Sequence, residues 1–267
     1  MDDKNILSTV RGFLLDMDGT FYLGDRLLDG ALDFIDTLRS QNKEFLFLTN
    51  NSSKHRSQYA EKITRLGLAV AEESVLTSGE ATALYLGQDH PGASLFLVGT
   101  ASLEAEFRQY GFQLVQHKPQ FVVLGFDTTL TYQKLWKLCD FVRAGVPYIA
   151  THPDFNCPTE TGYMPDVGAM IAFVNASTGR LPDLVVGKPN RLIVDAAAVK
   201  MSLPVSQLAM IGDRLYTDIA LGQTSGIATV LVLSGETKLD DVKDSPYKPD
   251  YIFNDLAGVA DWLNENC

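Results

Sequence analysis

The chain of 267 residues has 22 lysines and arginines against 33 aspartates and glutamates, which gives a formal net charge of −11. This acidic balance argues against nucleic-acid partners, because nucleic acids select a basic protein surface. With 46% hydrophobic and 21% charged residues, the composition is that of a globular protein with one large domain or two modest ones.

The sequence has no pattern typical of membrane insertion or export. No apolar run approaches the length of a bilayer span, and no long apolar segment follows the acidic start of the chain. The three cysteines, Cys139, Cys157 and Cys267, share no spacing typical of metal ligands. We therefore expect a reduced, cytoplasmic protein without a membrane partner.

The first 80 residues alternate apolar runs, which predict strands, with amphipathic stretches, which predict helices. The predicted strands are 11–15, 44–48 and 75–76, and the predicted helices are 31–40, a helix carrying Tyr59, Ile63 and Leu66, and 79–86. Strands and helices in this alternation predict a parallel sheet with crossover helices.

A turn-rich segment at residues 88–92 precedes a second alternating series. Its predicted strands are 95–98, 121–124 and 148–150, its predicted helices are 101–110, 131–144 and 168–175, and residues 151–166 are predicted as a loop. Because this block has strands and helices of its own, we predict an inserted α/β domain at 81–181 and a core formed by 1–80 and 182–267.

The pattern of the core resumes after the insert. The predicted strands are 184–187, 209–212, 228–233 and 251–253, and the predicted helices are 190–200, 218–221 and 255–264. The whole chain therefore belongs to the α/β class.

Four apolar strands of this prediction end at polar residues. Asp16 follows Phe-Leu-Leu, Thr49 follows Phe-Leu-Phe-Leu, Lys188 follows Val-Val-Gly and Asp213 follows Met-Ile-Gly. Open α/β sheets bind ligands at the carboxyl ends of their strands, so we expect these four side chains to meet at one edge. Acids, a hydroxyl and a lysine are the groups that phosphoryl transfer through an aspartyl phosphate requires.

Asp16 and Asp18 form a pair of their own. Side chains two positions apart on an extended strand point to the same side, which would place these two carboxylates next to each other. A fold tolerates their repulsion only if a cation or a shared proton compensates it. Magnesium is the usual cation for a site of oxygen ligands, so the pair predicts a magnesium site.

Each polar residue also has a plainer interpretation. Thr49 is suited to cap a helix, a lone lysine such as Lys188 is most often solvated at the surface, and Asp213 with Asp218 fits a loop followed by a cap. Arg214 is either a surface residue or a residue that orients the acidic loop. The occurrence of polar residues at four strand ends favours a catalytic site.

The sequence resembles the haloacid dehalogenase (HAD) superfamily in four motifs. They are Asp16-x-Asp18-Gly19-Thr20, Thr49-Asn50-Asn51, Gly187-Lys188-Pro189, and Gly-Asp-Arg-Leu-Tyr-Thr-Asp at 212–218. The inserted block resembles the class II cap of the NagD-type, p-nitrophenylphosphatase-like subfamily, above all at 156–160 and 165–169. This resemblance implies a Rossmann-like core with helices on both faces of a parallel sheet, and an α/β cap.

The resemblance also implies a role for each matched residue. Asp16 is the nucleophile, and Asp18 protonates the leaving oxygen and then deprotonates the attacking water. Magnesium is held by Asp16, the backbone carbonyl of Asp18 and Asp213. The phosphoryl group is bound by Thr49, Asn50, Asn51 and Lys188, and the supporting residues are Gly19 and Asp218.

Together these features predict a magnesium-dependent phosphatase that hydrolyses a small phosphorylated metabolite, such as a sugar phosphate or a nucleoside monophosphate. One alternative is a phosphotransferase or mutase, which passes the aspartyl phosphate to a second substrate. The other is a non-enzymatic phospho-aspartate switch, although such receivers are one short domain without a large insert. A homodimer formed through the cap is a further expectation.

Overall fold

A computed structural model describes residues 5–159 and 162–267 of the chain. The strands are β1 Gly12–Leu15, β2 Tyr22–Leu23, β3 Arg26–Leu27, β4 Glu44–Thr49, β5 Val75–Thr77, β6 Ser94–Val98, β7 Gln113–Leu114, β8 Phe121–Leu124, β9 Tyr148–Ala150, β10 Asn156–Thr159, β11 Gly162–Pro165, β12 Leu184–Val185, β13 Leu208–Gly212, β14 Ala228–Val232 and β15 Tyr251–Phe253. The helices are α1 Ile6–Thr9, α2 Ala31–Ser40, α3 Arg56–Arg65, α4 Ser78–Asp89, α5 Ala101–Gln109, α6 Tyr132–Arg143, α7 Val167–Thr178, α8 Leu192–Met201, α9 Ala220–Ser225, α10 Asp241–Asp244 and α11 Leu256–Asn266.

The described residues form two compact units. Unit 1 comprises the described part of Met1–Thr49 together with Tyr59–Leu76 and Lys188–Cys267, and unit 2 comprises Asn50–Gln58 and Thr77–Gly187. The division predicted from the sequence, with an inserted domain at 81–181, stays a prediction.

Unit 1 is built on a six-stranded sheet with the order β15-β14-β13-β1-β4-β5. The pairs β15–β14, β14–β13, β13–β1 and β1–β4 are parallel. Strand β1 lies between β13 and β4, and all four of its residues are buried. A strand covered on both faces needs apolar side chains on both sides, which explains the uninterrupted run Phe13-Leu14-Leu15.

Helices α2 and α11 pack together and cover part of this sheet. Phe34 of α2 contacts Phe13 of β1 edge to face, with ring centroids 5.9 Å apart. The apolar face of α11, which includes Val259 and Leu263, belongs to the same buried cluster. An amphipathic stripe on each helix is therefore buried against the strand that leads to Asp16.

Unit 2 has a parallel five-stranded sheet of its own, with the order β12-β9-β8-β6-β7. Its core gathers side chains from the sheet and from α6 and α7, among them Phe96, Leu138, Tyr148 and Val174. The predicted α/β class, with a parallel-sheet core and a second α/β part, is confirmed.

The prediction of a loop over 151–166 is wrong for Asn156–Thr159 and Gly162–Pro165. Strands β10 and β11 pair there as an antiparallel hairpin, with Cys157 opposite Met164 and Pro158 opposite Tyr163. The hairpin is largely exposed and each strand contains a proline. Proline and solvent-exposed side chains are typical of edge strands. Such strands lack the alternating apolar pattern by which a strand is usually detected in a sequence.

The expectation that 184–187 returns to the sheet of the core is also wrong. Strand β12 pairs in parallel with β9, and Leu184 lies opposite Ile149. It is therefore an edge strand of the sheet in unit 2. The short runs at β2, β3 and β7 were not predicted, because two residues are too few to display a period. No helix within residues 5–159 and 162–267 combines the length and the apolar character needed to cross a membrane.

Gly30 offers a test of how closely α2 and α11 pack. Its φ of +74° lies in the left-handed region, and a Cβ at this position would overlap the backbone of Ala257 at the start of α11. Gly24 has a φ of +58°, but a Cβ there would meet no atom within 4 Å. The two glycines share the backbone constraint and differ in the space available.

We predict that Gly24→Ala lowers the free energy of unfolding by about 1 kcal/mol, because it adds left-handed backbone strain alone. Gly30→Ala should lower it by about 3 kcal/mol or more, because the helices must also move apart. Denaturant unfolding of both variants measures the difference. Equal losses would contradict close packing at Gly30.

Candidate active site

Asp16 and Asp213 lie at the carboxyl ends of neighbouring strands. Strands β1 and β13 are parallel, with Leu15 opposite Ile211. The ladder continues one step beyond β1, where the Asp16 N–H donates to the carbonyl of Ile211 over 2.9 Å. Asp213 directly follows β13, so the parallel register brings these two carboxylates to one edge of the sheet.

Lys188 joins two acidic residues in the interior of unit 1. Its Nζ donates to Asp16 Oδ1 over 2.5 Å and to Asp218 Oδ1 over 2.7 Å. The lysine is only 3% exposed and Asp218 is fully buried. Burial alone would lower the pKa of Lys188, but Asp16 and then Asp218 raise it above its ordinary value. Lys188 is therefore a permanent cation in this site.

Asp218 reaches Lys188 through an unusual turn of the backbone. Residues Leu215–Ile219 form one wide helical turn of the π type before α9 begins. Asp218 Oδ2 accepts from the N–H of Arg214 over 3.1 Å, which turns the carboxylate back toward the end of β13. Wide turns of this kind are frequent at functional sites.

The side chains of Asp16, Asp213 and Asp218 offer oxygen atoms that all lie within 4.8 Å of one another. Burial, followed by repulsion from Asp16 and Asp218, raises the pKa of Asp213 to about 7. Burial also raises the pKa of Asp218 to about 6, although Lys188 opposes this shift. Three crowded carboxylates with one lysine retain excess negative charge, and an all-oxygen donor set of this kind suits a hard divalent cation.

The side chain of Asp18 is not part of this group of three. Strand β1 ends at Leu15, and Asp18 forms an isolated bridge with Tyr22. Asp18 is exposed, whereas Asp16 is half-buried and Met17 is buried. The neighbours of Asp16 in this acidic group are Asp213 and Asp218, and a place for the carboxylate of Asp18 beside that of Asp16 stays a prediction.

Gly19 has a structural reason to follow Asp18. Its φ is +92°, and a Cβ at this position would lie 2.5 Å from Asp213 Oδ2. Thr20 is fully buried, and its Oγ1 lies 3.5 Å from Asp213 Oδ1. The Gly-Thr pair thus allows the loop after β1 to approach Asp213 closely.

Thr49 lies at the end of β4, beside β1, and is buried. Lys188 Nζ contacts the carbonyl of the preceding residue, Leu48, at 3.5 Å. Thr49 therefore occupies the same edge of the sheet as Asp16, as the sequence predicts.

Asn50 and Asn51 belong to unit 2, where their side chains have partners. Asn50 Nδ2 donates to both carboxylate oxygens of Asp154, over 3.1 and 3.2 Å. Asn51 Oδ1 accepts from the N–H and the hydroxyl of Ser53, which forms a local turn. A role for either residue in binding phosphate stays a prediction.

The loop 234–237 is a part of the site that no sequence pattern predicts. The Glu236 N–H donates to Asp213 Oδ2 over 2.7 Å. The residues of this loop match no sequence motif. The contact with Asp213 is made by a backbone N–H, which almost every residue type has, so the residue type gives no sign of it. Only the Ser-Gly pair at 234–235, two residues after the end of β14, signals a turn at this edge of the sheet.

Two family models match the chain. The model described as haloacid dehalogenase-like hydrolase matches residues 13–113, and a second HAD-hydrolase-like model matches residues 185–259. The chain belongs to the haloacid dehalogenase-like hydrolases. The predicted family is thus confirmed, and both matched segments contain residues of the acidic site.

Curated relatives and solved structures agree with this assignment. The chain is 34% identical to an acid sugar phosphatase of Staphylococcus haemolyticus, over 97% of this chain and 99% of the relative. It is 33% identical to the 5'-nucleotidase YutF of Bacillus subtilis, over 96% and 99% of the two chains. The crystal structure of a 4-nitrophenylphosphatase from Thermotoga maritima matches with a TM-score of 0.94 and 47% identity, over 97% and 99%. The predicted enzyme class, a phosphatase of the NagD type, is confirmed.

The ion pairs of Lys188 with Asp16 and Asp218 lead to a prediction about the free energy of unfolding. Lys188→Met removes the cation that Asp16 and Asp218 share, and breaking a buried ion pair in this way typically costs about 3–5 kcal/mol. We expect a loss of this size in denaturant unfolding at pH 8 with a chelator present. The loss should shrink as the pH falls through 7 and 6, because Asp213 and Asp218 then take up protons.

Lys238→Met is the matched control, because Lys238 is exposed and its removal should change stability by less than about 0.5 kcal/mol. If Lys188→Met unfolds like this control at pH 8, the buried ion pairs do not stabilise unit 1.

Proposed function

We propose that this protein hydrolyses phosphomonoesters of small metabolites, such as sugar phosphates or nucleoside monophosphates, with Mg²⁺ and through an aspartyl phosphate on Asp16. The observation that carries the proposal is the contact of Lys188 with Asp16 and Asp218, within a group of three carboxylates at one sheet edge. This arrangement supplies a nucleophile, a fixed positive charge and a cation site in one place.

The donor set of the site fits Mg²⁺. Asp16 and Asp213 would hold the ion together with the backbone carbonyl of Asp18, and when bound it would neutralise charge on the phosphoryl oxygens. Asp218 would support Lys188 and the ligand shell, since it contacts Lys188 directly. Lys188 and Thr49 would bind the phosphoryl oxygens, and we propose the N–H of Asn50, with Asn51 beside it in the chain, as further donors to them.

The proposed chemistry assigns one role to Asp16 and another to Asp18. An oxygen of Asp16 attacks the phosphorus, the bond from phosphorus to the ester oxygen breaks, and Asp18 gives its proton to that oxygen. Water next attacks the phosphorus of the aspartyl phosphate, Asp18 takes a proton from the water, and the bond to Asp16 breaks to release phosphate. The exposure of Asp18 supports this role, because a group that exchanges protons with solvent needs access to it.

We propose that unit 2 acts as the cap that selects the substrate. An α/β unit with its own sheet and an exposed hairpin at β10–β11 offers loops that vary without disturbing the acidic site. The relatives named as acid sugar phosphatase and 5'-nucleotidase support a substrate among small phosphorylated metabolites. A homodimer through the cap stays a prediction.

The cytoplasm is the proposed location. All three cysteines are free thiols, which suits a reducing compartment.

We predict that Asp16→Asn lowers kcat at least about 1,000-fold, because the amide is a poor nucleophile toward phosphorus. Phosphate release from a panel of phosphomonoesters, with Mg²⁺ and with a chelator, measures the effect. Asp25→Asn, an exposed carboxylate on the turn between β2 and β3, is the control and should retain full activity. If Asp16→Asn keeps a tenth of the wild-type rate, Asp16 is not the nucleophile.

The same assay separates hydrolysis from phosphoryl transfer. Addition of an alcohol acceptor should leave free phosphate as the main product. Phosphate that appears on the acceptor instead would support the alternative of a phosphotransferase or mutase.

We also predict that exchange of unit 2 for the corresponding unit of a related phosphatase changes the order of preferred substrates more than it changes the Mg²⁺ requirement. The reason is that Asp16, Asp213 and Asp218 all belong to unit 1. The relative kcat/KM values for the panel measure the outcome. A hybrid that keeps the original preference would show that unit 2 does not select the substrate.

A further inference from the structure

The loop 234–237, with the sequence Ser-Gly-Glu-Thr, follows β14 and forms hydrogen bonds to Asp213. The Glu236 N–H donates to Asp213 Oδ2 over 2.7 Å, and the Thr237 N–H donates to the carbonyl of Asp213 over 3.2 Å. Ser234 Oγ donates to the carbonyl of Gly19 over 2.9 Å, which ties the loop to the segment after β1. The loop therefore fixes both the carboxylate and the backbone of Asp213.

The approach of this loop leaves no space at Gly235. A Cβ at Gly235 would overlap the carboxylate of Asp213. The loop and Asp213 are consequently in direct contact, and a shift of one requires a shift of the other.

The side chain of Glu236 adds a second connection around Asp213. Its Oε1 accepts from the hydroxyl of Tyr216 over 2.9 Å, and its Oε2 lies 3.0 Å from Arg214 Nε. Arg214 and Tyr216 follow Asp213 in the chain. Glu236 thus links the loop to the segment that follows Asp213 in the chain. Glu236 therefore acts on Asp213 in two ways, directly through its N–H and indirectly through the contacts of its carboxylate with Arg214 and Tyr216.

Glu236 also affects the charge near the acidic group. Arg214 directly follows Asp213 in the chain, and its side chain is only 17% exposed. An uncompensated, largely buried guanidinium beside a metal ligand would oppose the binding of another cation. The Glu236 carboxylate on Arg214 offsets that charge.

We infer that Glu236 is a positioning residue, which holds Asp213 in place and neutralises Arg214 so that the acidic group binds a divalent cation more tightly. This inference rests on the proposed function, in which Asp213 is a ligand of Mg²⁺. The side chain of Glu236 is 47% exposed, so its ion pair contributes little to folding. Loss of a residue that orients a metal ligand, by contrast, typically weakens metal binding about 10–100-fold.

The test is a calorimetric titration of Mg²⁺ into the metal-free, full-length protein without substrate. Glu236→Gln keeps the size of the side chain and removes its charge, and we expect its Kd for Mg²⁺ to rise about tenfold. Tyr216→Phe removes one of the two contacts without a change of charge, and we expect a smaller rise. Glu265→Gln removes an exposed charge on α11 and should leave the Kd unchanged.

Two further measurements distinguish positioning from a general loss of structure. The unfolding midpoint of Glu236→Gln in a chelator should equal that of the wild type. At saturating Mg²⁺ its kcat should return to the wild-type value, because the residue acts only through Asp213. If the midpoint of Glu236→Gln falls, Tyr216→Phe decides: weaker Mg²⁺ binding at an unchanged midpoint supports the inference, and unchanged binding overturns it.

The remaining outcomes separate this inference from the proposed function. A wild type that binds Mg²⁺ and hydrolyses phosphomonoesters, with the same Kd in Glu236→Gln, overturns the inference alone. An equal rise of the Kd in Glu265→Gln also overturns it, because the effect would then be one of net charge. A wild type that neither binds Mg²⁺ nor hydrolyses any ester overturns both.

Discussion

The ion pairs of Lys188 with Asp16 and Asp218 are the interaction on which the rest of the site depends. Three carboxylates lie within 4.8 Å of one another, and two of them are almost fully buried. Without a nearby cation they would repel one another and take up protons, as the raised pKa values of Asp213 and Asp218 show. Lys188 compensates part of this charge, and the remainder is what makes the site suitable for a divalent cation.

The backbone explains how such a costly group of charges can persist. Asp16 and Asp213 follow adjacent parallel strands whose apolar residues are fully buried, so the strand ends are held by the core of unit 1. The N–H of Arg214, directly before the wide turn at Leu215–Ile219, donates to Asp218, and the N–H of Glu236 in the loop 234–237 donates to Asp213. Hydrogen bonds of this kind, fixed in place by folding, stabilise a carboxylate without any motion of the protein.

Local patterns in the sequence predicted most of the regular structure. Helix α2 and strands β8 and β15 have the predicted bounds, because each has a clear apolar period or run. The hairpin β10–β11 escaped prediction because its strands are exposed and contain proline. Strand β12 was assigned to the wrong sheet, because two apolar residues show that a strand exists but do not show its neighbour.

The sequence by itself determined the chemical types at the site: acids, a threonine and a lysine after apolar strands, in an order that resembles one family. Tertiary structure alone decided which of them meet. Lys188 and Asp16 are 172 positions apart in the chain, and Lys188 follows a strand of the sheet in unit 2. Asp218 joins Asp16 and Asp213 in the acidic group, and Glu236 contacts Asp213 and the residues that follow it. These contacts depend on the path of the chain between distant residues, and local periodicity carries no information about that path.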